Sequence, residues 1–181
     1  SSLGPSTSEN FPWNVEGEQL RMSTNAAGEI DLSISGTPAK VLMAEGNLQG
    51  PEIRFDQGNS LIYLDHPGEF TVPASLLNQQ AGAAEWLQAP HFRWKGHLVF
   101  DGAMIRIVGD IEFSGAFRQG VELFRIQGFC DRINLQLSEP IDLRGDTRKT
   151  LEASLAKVKQ IVLLDKIDIR LSQTDLQHNR K

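Results

Sequence analysis

The sequence predicts an all-β protein, organised as a β sandwich, a jelly roll or a pair of sheets built from repeated short strands. Apolar and polar residues alternate through most of the 181 residues, a pattern typical of strands that bury one face. Gly, Pro, Asn and Asp separate these runs at spacings of roughly 8–12 residues, as turns between short strands do. Paired runs also repeat along the chain, but their irregular spacing argues against a strict solenoid.

The clearest pair of runs lies in residues 91–116. HLVF precedes Asp101-Gly102, and MIRIV follows Ala103. Asp-Gly is favoured in type I′ turns, because both central residues of such a turn need a positive φ. We therefore expect a central hairpin here, with Leu98 and Phe100 on one face of its first arm.

Two further hairpins are expected before the central one, each with two alternating runs around a polar turn. Their runs and turns are residues 18–22 and 29–34 around residues 25–28, and residues 52–56 and 60–65 around residues 57–59. Gly-Thr-Pro at residues 36–38 is expected to end the first hairpin, and residues 39–45 to start another strand. The segment 69–72 should continue extended.

Residues 74–90 interrupt this rhythm. They lack β-branched residues and are rich in Ala, Leu, Gln and Glu, so we expect a helical or irregular insertion rather than a strand. One short helix is expected at residues 83–87. A second is expected at residues 151–157, where the composition again favours helix.

The last third of the chain returns to strand patterns. Residues 121–127 and 131–137 are expected to be two strands joined through Gly128-Phe129-Cys130. Residues 158–164 and 166–171 follow, and Asp165-Lys166 between them is either a tight turn or a bulge within one long strand. Residues 124–137 and 159–171 are weaker copies of the pair formed by residues 98–101 and 104–107, to which residues 53–56 and 61–64 also correspond.

We expect one domain over residues 13–172, since this length is sufficient for one substantial core. Residues 1–12 form a Ser/Gly/Pro-rich flexible lead-in, and residues 173–181 form a polar tail. The chain begins without Met or a signal peptide, so we expect it to be a segment of a longer protein. The residues expected in the core are Phe55, Tyr63, Leu98, Phe100, Ile105, Ile107, Ile133, Leu135, Ile167 and Ile169.

Charge and composition exclude several classes of protein. The net charge of −5 and the pI of about 5.4 argue against a nucleic-acid partner, which would require clustered cations. No run of about 18 apolar residues is present, so no transmembrane segment is expected. The lone cysteine, Cys130, excludes an internal disulfide and has the apolar neighbours of a small core residue.

Candidate catalytic groups have simpler explanations. Asp101, Asp110 and Glu112 could form a carboxylate cluster for acid–base chemistry or metal binding, but a turn and solvent-facing strand ends explain them better. The histidines lack metal-ligand spacing. No nucleophile elbow, P-loop or Rossmann fingerprint occurs. We therefore expect no enzyme activity, no cofactor and no metal. The four histidines are His66, His91, His97 and His178.

Short motifs resemble those of the organic-solvent-tolerance (OstA-like) domains. Pro67-Gly68-Glu69-Phe70 is one of them. The others are Gly17-x-x-Leu20, Gly36-x-Pro38-Ala39, Leu48-x-Gly50-x-x-Ile53-x-Phe55-Asp56 with Asn59, Trp94-x-Gly96-x-Leu98-x-Phe100-Asp101-Gly102 and Gly109-Asp110-Ile111. The resemblance implies a folded-over β-jelly roll with an apolar interior groove. The family includes periplasmic lipopolysaccharide-transport proteins.

The resemblance therefore implies a non-catalytic binding or assembly module of the bacterial cell envelope, periplasmic or secreted. Its expected ligand is an amphipathic, lipopolysaccharide-like lipid, held in an apolar trough lined by Trp94, Leu98, Phe100, Ile105 and Ile107. The alternative is a structural module that stacks through its strand edges with a neighbouring domain or a copy of itself. A third alternative is a carbohydrate-active enzyme, which would need two carboxylates in one cleft.

Overall fold

The computed structural model describes residues 14–43, 46–72, 84–138, 140 and 158–175, and every regular element among them is a β-strand. The predicted all-β class is confirmed. All strands belong to one antiparallel sheet. They are β1 (Asn14–Glu16), β2 (Gln19–Thr24), β3 (Ile30–Met43), β4 (Gly46–Asp56), β5 (Leu61–Leu64), β6 (Gly68–Thr71), β7 (Glu85–Trp94), β8 (His97–Phe100), β9 (Met104–Gln119), β10 (Glu122–Leu137), β11 (Val158–Leu164) and β12 (Asp168–Asp175).

The strands are arranged as long antiparallel segments that follow each other in chain order. β1 and β2 lie end to end along β3, and β5 and β6 lie end to end along β4. In the same way, β7 and β8 lie along β9, and β11 and β12 lie along β10. The described part of the chain is therefore a meander of eight long segments, each of which changes register or breaks near its middle.

These breaks lie next to one another across the sheet and form a line that we call the crease. At the crease, Gly109 and Asp110 have φ of 96° and 42°, and Asp165 and Lys166 have φ of 59° and 43°. Bulges and breaks of this kind bend a strand sharply. The crease comprises residues 17–18, 36–38, 51, 65–67, 95–96, 109–110, 131 and 165–167.

The crease divides the sheet into two half-sheets with the same strand order. Half-sheet A comprises β1, β6, β7 and β12 with the adjoining parts of β3, β4, β9 and β10, namely residues 39–43, 46–50, 111–119 and 122–130. Half-sheet B comprises β2, β5, β8 and β11 with residues 30–35, 52–56, 104–108 and 132–137. Each long segment thus contributes one arm to each half-sheet.

Apolar side chains form rows that run across the strands on one face of each half-sheet. In half-sheet B, one row of register partners is Met22, Leu32, Phe55, Ile62, Phe100, Ile105, Leu135 and Ile161. In half-sheet A, a corresponding row is Val15, Val41, Leu48, Phe70, Phe92, Phe113, Gly128 and Ile169. Because side chains alternate between the faces of a strand, these rows define the inner face of the sheet.

The inner faces of both half-sheets contribute to one hydrophobic cluster. Leu48 and Phe92 of half-sheet A and Ile105 and Leu135 of half-sheet B are among its members, all at most 7% exposed. One face of a single flat sheet could not be buried to this extent, so the sheet folds over along the crease and covers its own inner face. This is the two-layer packing of a β sandwich, in which the two layers share their strands.

The predicted central hairpin is present, but its turn differs from the prediction. Phe100 pairs with Ile105, so Gly102 and Ala103 are the central residues of the turn, and only Gly102 of these has a positive φ. Asp101 precedes the turn, and its Oδ1 accepts hydrogen bonds from the backbone N–H groups of Ala103 and Met104 at 3.1 and 2.9 Å. The aspartate therefore closes the turn with its side chain instead of adopting a left-handed conformation, and the type I′ assignment was wrong.

Three other local predictions were wrong within the described residues. Residues 36–38 do not end a strand, since β3 continues through them with a register shift at the crease. Residues 85–87 belong to β7 and not to a helix, because pairing with β9 overrides their helical composition. β10 is one strand through Gly128-Phe129-Cys130, not two.

Asp165-Lys166 forms a bulge within one long segment and not a tight turn between two strands, because β11 and β12 both pair with β10. The helix expected at residues 151–157 lies outside the described residues. So does most of the insertion at 74–90.

The core prediction is confirmed for seven of its residues and wrong for the last segment. Ile167 and Ile169 are 51% and 46% exposed, because β11 and β12 form the edge of the sheet. Tyr63 is only partly buried and lies beneath the guanidinium of Arg54, 5.7 Å from its ring centre. The confirmed core residues are Phe55, Leu98, Phe100, Ile105, Ile107, Ile133 and Leu135.

Candidate functional site

The five side chains predicted to line an apolar trough lie together on the inner face, where they are buried within the hydrophobic cluster. Their exposed fractions range from 1% to 7%, so an acyl chain could reach them only by displacing neighbouring side chains. Their role in ligand binding stays a prediction. The five are Trp94, Leu98, Phe100, Ile105 and Ile107.

The deepest part of the core follows the crease. Among the described residues, Trp94 is the largest fully buried side chain, and its indole Nε1 donates a hydrogen bond to the backbone oxygen of His66 at 3.1 Å. Gly68 lies against this ring, since a Cβ there would approach Trp94 to 2.7 Å. The bend in the sheet is thus filled by side chains. In the part of the chain that the structure describes, the largest fully buried side chains all lie within two residues of a crease position: Trp94, Ile53, Leu64, Ile111, Ile133 and Cys130.

The inner-face rows end in exposed apolar side chains at the edge formed by β1 and β2, which we call the first edge (residues 14–24). Val15, Leu20 and Met22 are 39%, 59% and 64% exposed. They continue rows whose central members are buried. The first edge therefore presents unburied apolar surface in the plane of the core.

The opposite edge, formed by β11 and β12, has the same character; we call it the last edge (residues 158–175). Ile161, Ile169 and Leu171 are 48%, 46% and 58% exposed. Within the described residues, the first edge pairs only with β3 and the last edge only with β10. Each edge thus combines an open row of backbone hydrogen-bonding groups with an exposed apolar row, the combination that templates pairing with another strand.

The two edges differ in charge near the crease. The first edge carries Glu16, which lies 3.5 Å from Lys40, and Glu18, which accepts a hydrogen bond from Thr37. The last edge carries Lys166 and Arg170, whose side chains are 83% and 82% exposed. Asp165 and Asp168 of the last edge lie 2.6 Å from Arg132 and 3.6 Å from Arg170, so the last edge carries both signs of charge beside the crease, whereas the first edge is acidic there.

A second apolar surface lies on the inner face of half-sheet A, at the end away from the crease. Its rings are those of Trp86, Phe117 and Phe124, which we call the aromatic shelf. Phe117 lies 5.3 Å from Trp86 and is stacked on Phe124 at 5.2 Å between ring centres. Gly115 leaves room for the indole, since a Cβ there would approach it to 2.8 Å. All three aromatic residues are partly exposed.

The candidate carboxylates do not form one site. Asp101 holds its turn and pairs with Arg106 at 2.8 Å, whereas Asp110 lies at the crease, 3.4 Å from Lys95. Six residues of extended β9 separate the two regions, a distance of about 20 Å. Glu112 is exposed and pairs in register with Arg93. In the described residues, no three acidic, histidine or cysteine side chains are grouped to hold a metal ion.

The histidines are likewise separate. His91 lies on the outer face of β7, where its Nδ1 is 3.0 Å from the Thr71 hydroxyl and its Nε2 is 3.5 Å from Glu69. His97 and His66 are exposed, and His178 lies outside the described residues. Burial raises the pKa of the Cys130 thiol to about 11, so the thiol is protonated near neutral pH and serves as a small core group.

No protein-family model matches the chain, and no curated protein matches it in sequence. The part of the chain that the structure describes includes no helix of the length and hydropathy needed to cross a membrane.

Sequence reasoning missed the aromatic shelf, although one signal for it was present. Phe117 lies three residues before Gly120 and Phe124 four residues after it in the sequence. Residues spaced in this way around a tight hairpin turn are register partners, as these two are in the structure. The open edges were expected as an alternative, but the sequence did not identify which strands form them. That assignment requires the pairing of β11 and β12 with β10.

Proposed function

We propose that this chain is a non-catalytic assembly module that joins other β-sheet units through its open strand edges. One observation supports this proposal: the inner-face rows end in exposed apolar side chains at both edges of the sheet. By its resemblance to OstA-like domains, we place this activity in the bacterial cell envelope, periplasmic or secreted.

The energetics favour a joined state. Burying a large aliphatic side chain completely contributes about 1.5–3 kcal/mol, so each half-exposed edge residue offers roughly 1 kcal/mol. Three such residues on each edge, with backbone hydrogen bonds between the strands, provide several kcal/mol to offset the cost of association. A partner strand would also complete the core at each side of the sheet, where Met22 and Ile169 now contact solvent.

An acidic side chain placed in either apolar edge row should abolish this association. The unsubstituted protein is expected to form dimers and larger species as its concentration rises, whereas Met22→Glu or Ile169→Glu should shift the equilibrium toward monomer by at least about tenfold, because a carboxylate would be buried in the joint. Sedimentation velocity across a hundredfold range of concentration measures the shift.

The matched control is Val121→Glu, at a residue that is 70% exposed in the β9–β10 hairpin turn, away from both edges. It should associate as the unsubstituted protein does. A protein that stays monomeric throughout this range, or a Val121→Glu variant that dissociates as fully as the edge variants, would contradict assembly through the edges.

The aromatic shelf favours a second candidate function, the binding of an amphipathic lipid. Trp86, Phe117 and Phe124 offer partly exposed rings on the same inner face that forms the core. Each methylene that an acyl chain buries contributes about 0.8 kcal/mol, so a chain of about 12 carbons would gain several kcal/mol without a specific polar contact. Lipopolysaccharide-like lipids have acyl chains of this kind.

Phe124→Glu should remove this lipid binding. Titration with lauric acid, followed by the fluorescence of the tryptophans and by calorimetry, should saturate at micromolar concentration for the unsubstituted protein. The affinity should fall at least about tenfold in the variant, because a bound acyl chain would remove water from the glutamate carboxylate without giving it a partner. Phe129→Glu is the control, since Phe129 lies on the same strand but on the outer face and is 53% exposed. Equal binding by both variants would exclude the shelf.

The shelf is a better place for this test than the buried trough residues. Ile107 is 3% exposed, so Ile107→Trp would overpack the core and cost about 1–3 kcal/mol of stability before it affected any ligand. Loss of binding in that variant would therefore not distinguish an occupied trough from a disrupted fold.

A further inference from the structure

We propose that the outer face of half-sheet A binds a neutral glycan, which lies across five strands on a row of uncharged polar side chains. This inference is independent of the strand edges and of the aromatic shelf, since the shelf lies on the other face of the sheet. The row, which we call the polar band, consists of Asn47, Thr71, His91, Ser114 and Gln127.

The polar band follows the register of β4, β6, β7, β9 and β10. Each member lies opposite the next one across a strand pair, from Asn47 and Thr71 at one end to Ser114 and Gln127 at the other. All members are one residue away from an inner-face position on their own strand, so their side chains point to the outer face. The band crosses four strand spacings, about 19 Å, which is enough for several linked sugar units.

The polar band has hydrogen-bonding groups that the protein leaves unused. Asn47 Oδ1 is buried, and no donor among the described residues reaches it. The side chains of Ser114 and Gln127 likewise have no hydrogen-bond partner in the described part of the chain. A buried acceptor without a partner costs free energy. Sugar hydroxyls both donate and accept, so a polyhydroxylated ligand matches a row of mixed donors and acceptors.

A second row on the same strands holds part of the polar band in place. Glu69 accepts hydrogen bonds from Gln49 Nε2 and Arg93 Nε, both at 3.0 Å. Its carboxylate also lies 3.5 Å from His91 Nε2. These contacts fix the carboxylate and the imidazole before a ligand arrives, which lowers the conformational entropy lost on binding. The remaining lone pairs of Glu69 can then accept hydrogen bonds from sugar hydroxyls.

An exposed aromatic ring ends this second row. Phe129 is 53% exposed on β10, two residues from Gln127 and opposite Glu112 of β9. The C–H face of a sugar ring is apolar and packs on an aromatic ring, so Phe129 adds a stacking contact beside the hydrogen bonds. The core lies on the opposite face of the sheet, so this ring is available to a ligand.

The charges on this face favour a neutral ligand. Both signs are interspersed within and next to the two rows, so neither a polyanion nor a polycation meets a field of one sign. A protein partner would need a larger apolar centre than one phenylalanine ring. The charged side chains are the carboxylates Glu69, Glu112 and Asp168 and the cations Lys40, Arg93, Arg125 and Arg170.

Titration with neutral oligosaccharides tests the site. The probes are maltohexaose, cellohexaose and chitohexaose. At least one should bind saturably with a Kd of about 1 mM or below, as expected for an open site with few fully buried contacts. Amide chemical shifts measured by NMR should change along the polar band and not on half-sheet B. Tetragalacturonate, an acidic glycan, should bind less tightly than the best neutral probe.

Ser114→Arg should weaken binding at least about tenfold, because its long side chain fills the middle of the polar band. Ser35→Arg is the matched control, since Ser35 is also a half-buried serine on an outer face, but in half-sheet B. It should bind as the unsubstituted protein does. Phe129→Ala should weaken binding about three- to tenfold through loss of the stacking contact. Phe124→Glu, on the aromatic shelf, should have no effect.

Three outcomes would overturn the proposal. The first is no saturable binding of any neutral probe to the folded, unsubstituted protein. The second is undiminished binding by Ser114→Arg, or an equal loss in Ser35→Arg, since the ligand would then lie elsewhere. The third is tighter binding of tetragalacturonate, which would mean that cations hold the ligand. All three leave edge assembly and lipid binding in place, because neither uses the outer face of half-sheet A.

Discussion

Replacing Phe100 with alanine should lower the free energy of unfolding by about 3–5 kcal/mol, the range measured for loss of a buried aromatic side chain. Phe100 is 5% exposed and lies in the centre of the half-sheet B row, between its register partners Ile62 and Ile105. Both half-sheets pack in the same cluster, so neighbouring side chains have little freedom to fill the cavity. Urea titration, monitored by tryptophan fluorescence, measures the change.

Phe129→Ala is the control for this substitution. The same side chain is removed, but Phe129 is 53% exposed on the outer face of half-sheet A, and the loss should stay below about 1 kcal/mol. A loss below about 1 kcal/mol for Phe100→Ala as well would mean that the inner face of half-sheet B is not closed by the rest of the molecule. The folded-over arrangement would then be wrong.

The inner-face residues could be predicted from the sequence because their pattern is local. Leu98, Phe100, Ile105 and Ile107 alternate around one turn, and alternation alone assigns such residues to one face of a sheet. The same reasoning failed for Ile167 and Ile169. They alternate equally well, but burial also depends on whether a further strand lies beside them, and strand order is a non-local property.

The crease could not be predicted for a related reason. Of the crease glycines Gly36, Gly96 and Gly109, only Gly36 was interpreted from the sequence as the end of a hairpin, as isolated glycines and prolines usually are. In the structure they lie within long segments or between two end-to-end strands, beside equivalent positions of neighbouring strands. Only the pairing of the strands brings these positions together, so the sequence shows scattered interruptions where the fold has one continuous bend.

The aromatic shelf and the edges illustrate the same limit for function. Trp86 was assigned to a helical insertion because its neighbours favour helix, yet β7 places it on the inner face beside Phe117. Local propensity was overridden by pairing with β9. The residues predicted to line a trough are those with the clearest alternation of apolar and polar residues, and they fill the core. Exposed apolar surface remains where this alternation is weakest or ends.

Replacing Gly96 with alanine should destabilise the fold by about 3 kcal/mol, at the upper end of the usual cost of overpacking, because the crease leaves no space for a side chain there. A Cβ at Gly96 would lie 2.1 Å from the backbone oxygen of Val108. Backbone cannot rotate away as a side chain can. Shifting β9 would also strain the hydrogen bond from the N–H of Lys95 to the oxygen of Gly109, at 2.9 Å.

Gly120→Ala separates this close approach from the ordinary cost of losing a glycine. Gly120 has a φ of 63° in the β9–β10 turn, and a Cβ there would have no neighbour within 4 Å. Its replacement should cost about 1–2 kcal/mol, from the left-handed conformation alone. Urea titration of both variants gives the comparison. If Gly96→Ala cost no more than Gly120→Ala, β9 would be free to move away from Gly96, and the bend at the crease would not depend on close contact between the backbones of adjacent strands.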